Sequence, residues 1–220
     1  MKTTGLVFSS RQHRGNVTPP NVLEDTSRFK NHGTFGAGAA APTWVRLPSG
    51  LWVLSFDGAD DYVDCGAGPS LNFTTGDFTF VFWAREVTPV FNRIIIERGT
   101  FGTDGYYLYS NGDGSLAFNS MAGANQTFVS NTTALTTTWK LLAIQRSGTA
   151  GKVFVNGVDA TASSDVLANI VSSGNSLKLA TYNGGNYWSG QLGFSKSVNR
   201  ALAPNVIYSI YQSERRDYGV

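Results

Sequence analysis

The chain has 220 residues, of which 41% are hydrophobic, 13% aromatic and 15% charged, and its formal net charge is +2. This size and hydrophobic content exclude a disordered chain and predict one globular domain over residues 1–220. No apolar run approaches the roughly 18–20 residues of a membrane-spanning helix, and the small net charge argues against a nucleic-acid partner.

Short strands joined by turns are the main predicted feature. The chain has 25 glycines and many Ser, Thr and Asn residues, a composition typical of an all-β protein. The clearest strand is 77–85, where both faces are apolar, as in the central strand of a sandwich. In chain order, strands are predicted at 51–56, 77–85, 94–97, 106–110, 115–119, 126–130, 139–146, 152–156, 176–181 and 187–194.

The segments between the strands carry turn and helix signals. Residues 111–114 (Asn-Gly-Asp-Gly) and 156–157 (Asn-Gly) predict tight hairpins. Pro204 in a first turn, followed by an apolar stripe, predicts one short helix at 203–211. Residues 36–50 resemble a linker, and 214–217 are predicted to be a solvated end. The sequence therefore predicts a two-layer antiparallel β-sandwich with one short C-terminal helix.

The cysteine content and the N-terminal segment bear on the cellular location. Cys65 is the only cysteine, so an intrachain disulfide is excluded, and its strand-like context predicts a buried thiol. Residues 1–10 have one basic residue and only three consecutive apolar residues, so they lack the core of a signal peptide. This N-terminal segment therefore predicts synthesis in the cytoplasm without export by the general secretory route.

Several segments, in the same order, resemble one family. After a first strand at 6–8, residues 24–35, which include Asn-His-Gly-Thr at 31–34, are similar to its opening segment. Residues 54–63, which include Phe-Asp-Gly-Ala-Asp-Asp-Tyr-Val, and 78–83 (Phe-Thr-Phe-Val-Phe-Trp) are similar to the next two elements. Residues 152–158, 190–192 and 199–202 (Asn-Arg-Ala-Leu) are similar to its closing motifs. The chain resembles the LamG-like jelly-roll family of the concanavalin A-like lectin and glucanase superfamily. This resemblance implies the jelly-roll fold but no particular activity.

A calcium site is the one metal site that the sequence suggests. Asp57, Asp60 and Asp61, with Asp64 nearby, form the only dense carboxylate group, and calcium takes six to eight oxygen ligands. The alternative is that these carboxylates cap their own turn. The sequence departs from the family pattern at 193–196 (Gly-Phe-Ser-Lys), where the family carries acidic residues, so calcium would lose those ligands here.

The sequence contains none of the catalytic motifs considered for this superfamily or for serine hydrolases. The superfamily's glucanases place their carboxylates as Glu-x-Asp-x-x-Glu, and the four isolated glutamates match no such spacing. A Gly-x-Ser-x-Gly elbow is absent, and both histidines, His13 and His32, lie near the N-terminus. We therefore predict a protein that is not an enzyme, with a glycoside hydrolase relative as a distant alternative.

Two aromatic loops are the remaining candidates for ligand binding. The loop 181–188 carries Tyr182, Asn183, Asn186, Tyr187 and Trp188, and 101–107 is a second aromatic loop. Sugar rings stack on aromatic faces while amides bind their hydroxyls, so the residues named in the first loop are predicted to bind a ligand. The alternative is that alternate rings are core, with Tyr107 and Trp188 inward and Tyr106 and Tyr187 outward.

Two functions are compatible with these observations. The first is a structural protein of a virion, such as a capsid decoration or a tail or adhesion component. Its basic N-terminal segment (Arg11, Arg14 and Arg28) would then dock on an acidic surface of an assembly partner. The second is a lectin-like carbohydrate-binding module, assisted by calcium in one version. The first predicts a virion-associated location and the second an extracellular one, and a homo-oligomer suits both.

Overall fold

Two antiparallel sheets pack face to face in the computed structural model, which describes residues 5–88, 90 and 92–220. The eight-stranded sheet follows the order β14-β13-β12-β7-β17-β5-β4, with β1 paired to β17. Its strands are β1 (Leu6–Ser9), β4 (Thr43–Arg46), β5 (Trp52–Asp57), β7 (Phe78–Glu86), β12 (Lys140–Ser147), β13 (Ala150–Val155), β14 (Val158–Asp159) and β17 (Ser189–Val198).

The nine-stranded sheet follows the order β15-β11-β10-β9-β8-β16-β6-β3-β2. Its strands are β2 (Val22–Leu23), β3 (Gly33–Phe35), β6 (Val63–Asp64), β8 (Arg93–Thr100), β9 (Asp104–Ser110), β10 (Leu116–Met121), β11 (Asn125–Ser130), β15 (Thr161–Ser164) and β16 (Lys178–Leu179). Helix α1 (Pro204–Glu214) lies near the C-terminus. The predicted antiparallel sandwich with one short C-terminal helix is confirmed. Within the described ranges, no helix is long and apolar enough to cross a membrane.

Strand β7 is apolar on both faces because each face is covered by a different layer. Phe78, Phe80 and Phe82 belong to the core between the two sheets. Val81 and Trp83 belong to a second core, which the eight-stranded sheet forms with helix α1 and the C-terminal segment. The central position predicted for this segment is thus confirmed.

The C-terminal segment packs on the protein, which corrects the prediction of a solvated end. Trp83 donates from Nε1 to Oε2 of Glu214 at 2.8 Å. Tyr218, in the 3₁₀ turn Arg215–Tyr218, is buried and stacks on Trp83 with ring centroids 4.2 Å apart. Gly193 allows this approach, since a Cβ atom there would overlap the Tyr218 ring and its hydroxyl. A glycine on a distant strand therefore permits the C-terminal segment to pack here.

The linker-like segment 36–50 is also ordered structure. It contains the 3₁₀ turn Gly38–Ala40 and strand β4, which pairs along its whole length with β5. Trp44 packs against the main core and donates from Nε1 to the carbonyl of Pro20. The Gly and Ala residues of this segment give no periodic pattern that would predict a strand, and pairing with β5 is what makes β4 a strand.

Two of the three N-terminal arginines form ion pairs at the surface of the fold. Arg11 forms an ion pair with Glu24, and Arg14 forms one with Asp217. Arg28 is exposed and lies over the ring of Phe29, 4.6 Å from its centroid. Docking by the three arginines stays a prediction, and within the described residues Arg28 is the one of them that no ion pair includes.

Candidate ligand-binding cleft

The two predicted aromatic loops meet on the outer face of the nine-stranded sheet. The backbone N–H of Phe101 donates to the hydroxyl of Tyr182 at 3.2 Å. The ring of Tyr107 lies edge-on to that of Tyr182, with centroids 5.5 Å apart, and 6.2 Å from the ring of Phe101. Segments separated by some eighty residues thus form adjacent walls of one depression.

This depression, the aromatic cleft, has a volume of about 430 Å³. Tyr107 and Tyr109 of β9 and Asn119 of β10 form its floor, because these positions alternate with residues that face the core. Its full lining is Asn92, Ile94, Phe101, Tyr107, Tyr109, Asn119, Asn125, Tyr182 and Asn186. The cleft combines aromatic rings with amide groups and has the size of a small-molecule site.

The sequence alternative placed Tyr107 inward and Tyr106 outward, and the structure shows the opposite orientation of these two residues of β9. Tyr106 lies between the sheets and donates its hydroxyl proton to the carbonyl of Leu71 at 2.7 Å. Tyr107 belongs to the cleft instead. A buried tyrosine needs a partner for its hydroxyl, and Leu71 supplies one. The correction places Tyr107 on the outer face of the sheet, in the floor of the cleft, where its ring packs against Phe101 and Tyr182 and is only 2% exposed.

The predicted binding residues of the loop 181–188 separate into different environments. Tyr182 and Asn186 line the aromatic cleft, and Asn183 lines a neighbouring polar pocket. Tyr187 is half-buried and is not part of the cleft lining. Trp188 is only 1% exposed, and its Nε1 donates to Oε1 of Glu86 at 3.3 Å. This burial corrects the prediction for Trp188, because a ring packed in the core cannot contact a surface ligand.

Five lining residues of the cleft were not predicted from the sequence. They are Asn92, Ile94, Tyr109, Asn119 and Asn125. They come from strands β8 to β11 and the segments beside them, and only strand pairing brings them together. The alternation Tyr107-Leu108-Tyr109 was the available signal, since it places both tyrosines on one face.

The chemistry of the cleft is neutral. Burial raises the pKa of Tyr107 and Tyr109, so both phenols stay protonated and serve as hydrogen-bond donors and acceptors. Asn119 accepts a hydrogen bond from the Thr127 hydroxyl at 2.8 Å, which orients its amide. Within the described lining, no carboxylate faces the cleft. The arrangement suits an uncharged ligand with hydroxyl groups and apolar C–H faces.

The three aspartates predicted to bind calcium do converge. Asp57, Asp60 and Asp61 offer carboxylate oxygens within 4.8 Å of one another. The same carboxylates also hold their own loop: Asp61 Oδ2 accepts from the Asp57 backbone at 2.8 Å, and Asp57 Oδ1 accepts from Ala59 at 2.8 Å. Burial and the two neighbouring carboxylates raise the pKa of Asp61. The donor atoms fit a hard divalent cation, and calcium binding stays a prediction from the sequence.

A thermal titration tests this calcium prediction. Calcium at millimolar concentration is expected to raise the Tm of the wild-type protein, because an ion that binds only the folded state stabilises it. Asp60→Asn should abolish this rise, since the hydrogen bonds described within the loop use the carboxylates of Asp57 and Asp61 and leave that of Asp60 for the ion. An identical Tm with calcium and with chelator would contradict the prediction.

The groups considered for catalysis are engaged in structural contacts. His32 accepts the backbone N–H of Asp25 at its Nδ1, 3.1 Å away. Cys65 is buried, and burial raises the pKa of its thiol, which disfavours the nucleophilic thiolate. These contacts give His32 and Cys65 structural roles.

Comparisons with known proteins agree with this fold. A family model described as the concanavalin A-like lectin/glucanases superfamily matches residues 57–207. A search of curated proteins finds no match. Among solved structures, the binding domain of Paraclostridial mosquitocidal protein 1 is similar, with a TM-score of 0.71 and 15% identity over 95% of this chain and 52% of that one.

Two botulinum neurotoxin structures are similar in the same way. The serotype G binding domain has a TM-score of 0.70 at 14% identity, and the match covers 95% of this chain and 51% of that one. A structure of type C, whose cell entry is described as dependent on two ganglioside molecules, has a TM-score of 0.69 at 14% identity, with the same coverage. The chain spans about half the length of these structures, and at such identity the likeness concerns the fold.

Proposed function

Because the chain belongs to the concanavalin A-like lectin/glucanases superfamily, we propose that it is a non-catalytic interaction module that binds a carbohydrate in the aromatic cleft. The observation that carries this proposal is the meeting of Phe101, Tyr107 and Tyr182 around one depression that is also lined by amides.

The lining of the cleft matches the two kinds of surface that a sugar presents. The apolar C–H face of a pyranose ring packs against aromatic side chains, and Phe101 is 58% exposed and free to provide such a platform. The amides of Asn92, Asn119 and Asn186 can donate to and accept from hydroxyl groups. Without a carboxylate in its described lining, the cleft offers no acid and base pair to hydrolyse what it binds.

Carbohydrate binding is tested with a glycan array and two variants. Phe101→Ala and Tyr182→Ala are each expected to lower the affinity for the bound glycan by about tenfold or more, since a lost aromatic contact removes stacking as well as apolar burial. Phe101→Ala is the cleaner of the two, because an exposed side chain contributes little to stability.

The matched control is Tyr208→Ala, an exposed tyrosine of helix α1 on the eight-stranded sheet side. It is expected to bind as the wild type does. If the wild-type protein binds no glycan, or if both cleft variants bind with unchanged affinity, the proposal fails.

A structural role in a virion, as a capsid decoration or a tail component, is a second candidate and stays a prediction. Its support is the exposed turn at 28–30, where two basic residues flank the exposed ring of Phe29. Such a turn suits docking on an acidic protein surface. Arg28→Ala with Lys30→Ala should weaken assembly, and unchanged assembly would exclude this turn as the docking site. A virion-associated location belongs to this candidate alone.

A further inference from the structure

One row of side chains crosses the outer face of the nine-stranded sheet and continues beyond the aromatic cleft. Directly opposed residues in adjacent strands are Asp64 and Lys178, Lys178 and Glu97, Glu97 and Tyr107, and Tyr107 and Asn119. Directly opposed residues point to the same face of a sheet. The cleft floor therefore continues, strand by strand, into two carboxylates with an ammonium group between them.

These charged residues line a separate depression, the polar pocket, with a volume of about 220 Å³. Its polar lining is Asp64, Glu97, Asn175, Ser176, Lys178 and Asn183. The loop 182–186 separates the polar pocket from the aromatic cleft, with Asn183 on one side and Tyr182 and Asn186 on the other. The two depressions thus share one wall and one row of the sheet.

One carboxylate oxygen of Glu97, a residue that lines the polar pocket, lacks a hydrogen-bond donor within the described residues. The residue is only 3% exposed, and its Oε1 accepts the backbone N–H of Asn183 at 3.2 Å. Its Oε2 is buried and has no partner in the part of the chain that the structure describes. A buried acceptor without a donor is costly, so such an atom points to a donor supplied from outside.

Lys178 offers the complementary donor. None of the ion pairs within the described ranges includes it, although a carboxylate-bearing residue lies opposite it on each side. Its ammonium disfavours a metal ion in the pocket, and the two carboxylates disfavour an anion. Hydroxyl groups, which both donate and accept, satisfy this mixture of charged groups and amides.

We propose that the polar pocket is a second carbohydrate subsite, which binds the hydroxyl groups of a sugar ring linked to the ring in the aromatic cleft. This inference rests on the proposed carbohydrate-binding function. From β16 to the midpoint between β9 and β10 is two to three strand spacings, roughly 10–15 Å, which exceeds one sugar ring. The ligand is therefore an oligosaccharide, and recognition of its length depends on Lys178, Glu97 and Asn175.

The test uses a glycan array that carries length series, from monosaccharides to hexasaccharides, of glucose, galactose and N-acetylglucosamine chains, followed by calorimetry on the series that binds. Wild-type affinity is expected to rise by about tenfold or more from the shortest to the longer members of that series. Lys178→Met should remove this increase and leave binding of the shortest ligand unchanged. Asn175→Ala, at an exposed position, is the second variant in case Lys178→Met folds poorly.

The controls separate this inference from the proposed function. Lys140→Met removes a lysine from the eight-stranded sheet and should change nothing, whereas Phe101→Ala should weaken binding at every length. Equal affinity for short and long members, or an undiminished length effect in both pocket variants, would overturn the second subsite and leave the cleft proposal standing. Shortening of the oligosaccharide during incubation would overturn it in favour of a catalytic role for Glu97. A wild-type protein that binds no glycan would overturn both.

Discussion

Trp83→Ala is expected to lower the free energy of unfolding by about 3–5 kcal/mol, the range for removal of a large aromatic side chain from a core. Trp83 is 0% exposed in the second core, between the eight-stranded sheet and helix α1. Its ring stacks on Tyr218, and its Nε1 donates to Glu214. The substitution therefore removes the packing partner of the C-terminal segment together with a donor to a largely buried carboxylate.

Urea denaturation of the variant measures this loss. Tyr208→Ala is the matched control, because Tyr208 is an aromatic residue of helix α1 that is 47% exposed. It should lower the free energy of unfolding by less than about 1 kcal/mol. Similar small losses in both variants would mean that the C-terminal segment does not pack on Trp83. The second core would then contribute little to the stability of the sandwich.

The free energy of unfolding of the wild-type protein is expected to fall by about 3 kcal/mol as Glu97 ionises with rising pH, and Glu97→Gln is expected to remove this fall. Burial raises the pKa of Glu97 to about 7 from the usual 4.5, and Asp64 on β6 adds to this, while Lys178 on β16 and the N–H of Asn183 oppose it. Below pH 4.5 the carboxyl is protonated in both the folded and the unfolded state. Between pH 4.5 and 7 the unfolded chain loses this proton first, so rising pH favours unfolding.

The wild-type protein should therefore lose this contribution as pH rises to about 7, at about 1.4 kcal/mol per pH unit. The glutamine side chain of the variant cannot ionise, so the variant should gain stability relative to wild type over the same range. Urea denaturation at several pH values from about 4.5 to about 7.5 measures the difference in the free energy of unfolding between the variant and the wild type. Other buried carboxyls, such as Glu86, titrate in both proteins, so their contribution cancels in this difference. A difference that does not change with pH would show that Glu97 is solvated in the folded protein.

Long periodic strands were predicted well because their signal is local. The predicted strand 139–146 corresponds to Lys140–Ser147, and 77–85 corresponds to Phe78–Glu86. Strands of two or three residues, such as Val22–Leu23 and Val63–Asp64, escaped prediction. Such strands are too short for a periodic pattern, and only their partners in the nine-stranded sheet define them.

The composition of the loops predicted the candidate site, and the structure corrected which of their side chains face outward. The sequence singled out two loops rich in aromatic and amide residues, and the structure brings both to one cleft. It could not tell which rings face outward. The carbonyl of Leu71, which pairs with the hydroxyl of Tyr106, and the carboxylate of Glu86, which pairs with Trp188, come from distant segments and draw these rings into the core.

The amino-acid sequence by itself determined the all-β class, the antiparallel sandwich, the family resemblance and the aromatic loops, because alternation, turn residues and motifs are properties of neighbouring residues. Only the tertiary structure decided that residues 101 and 182 share a cleft and that Asp64, Lys178 and Glu97 form one row. The physical reason is that strand pairing joins residues far apart in the chain, and its register sets which side chains lie together on one face.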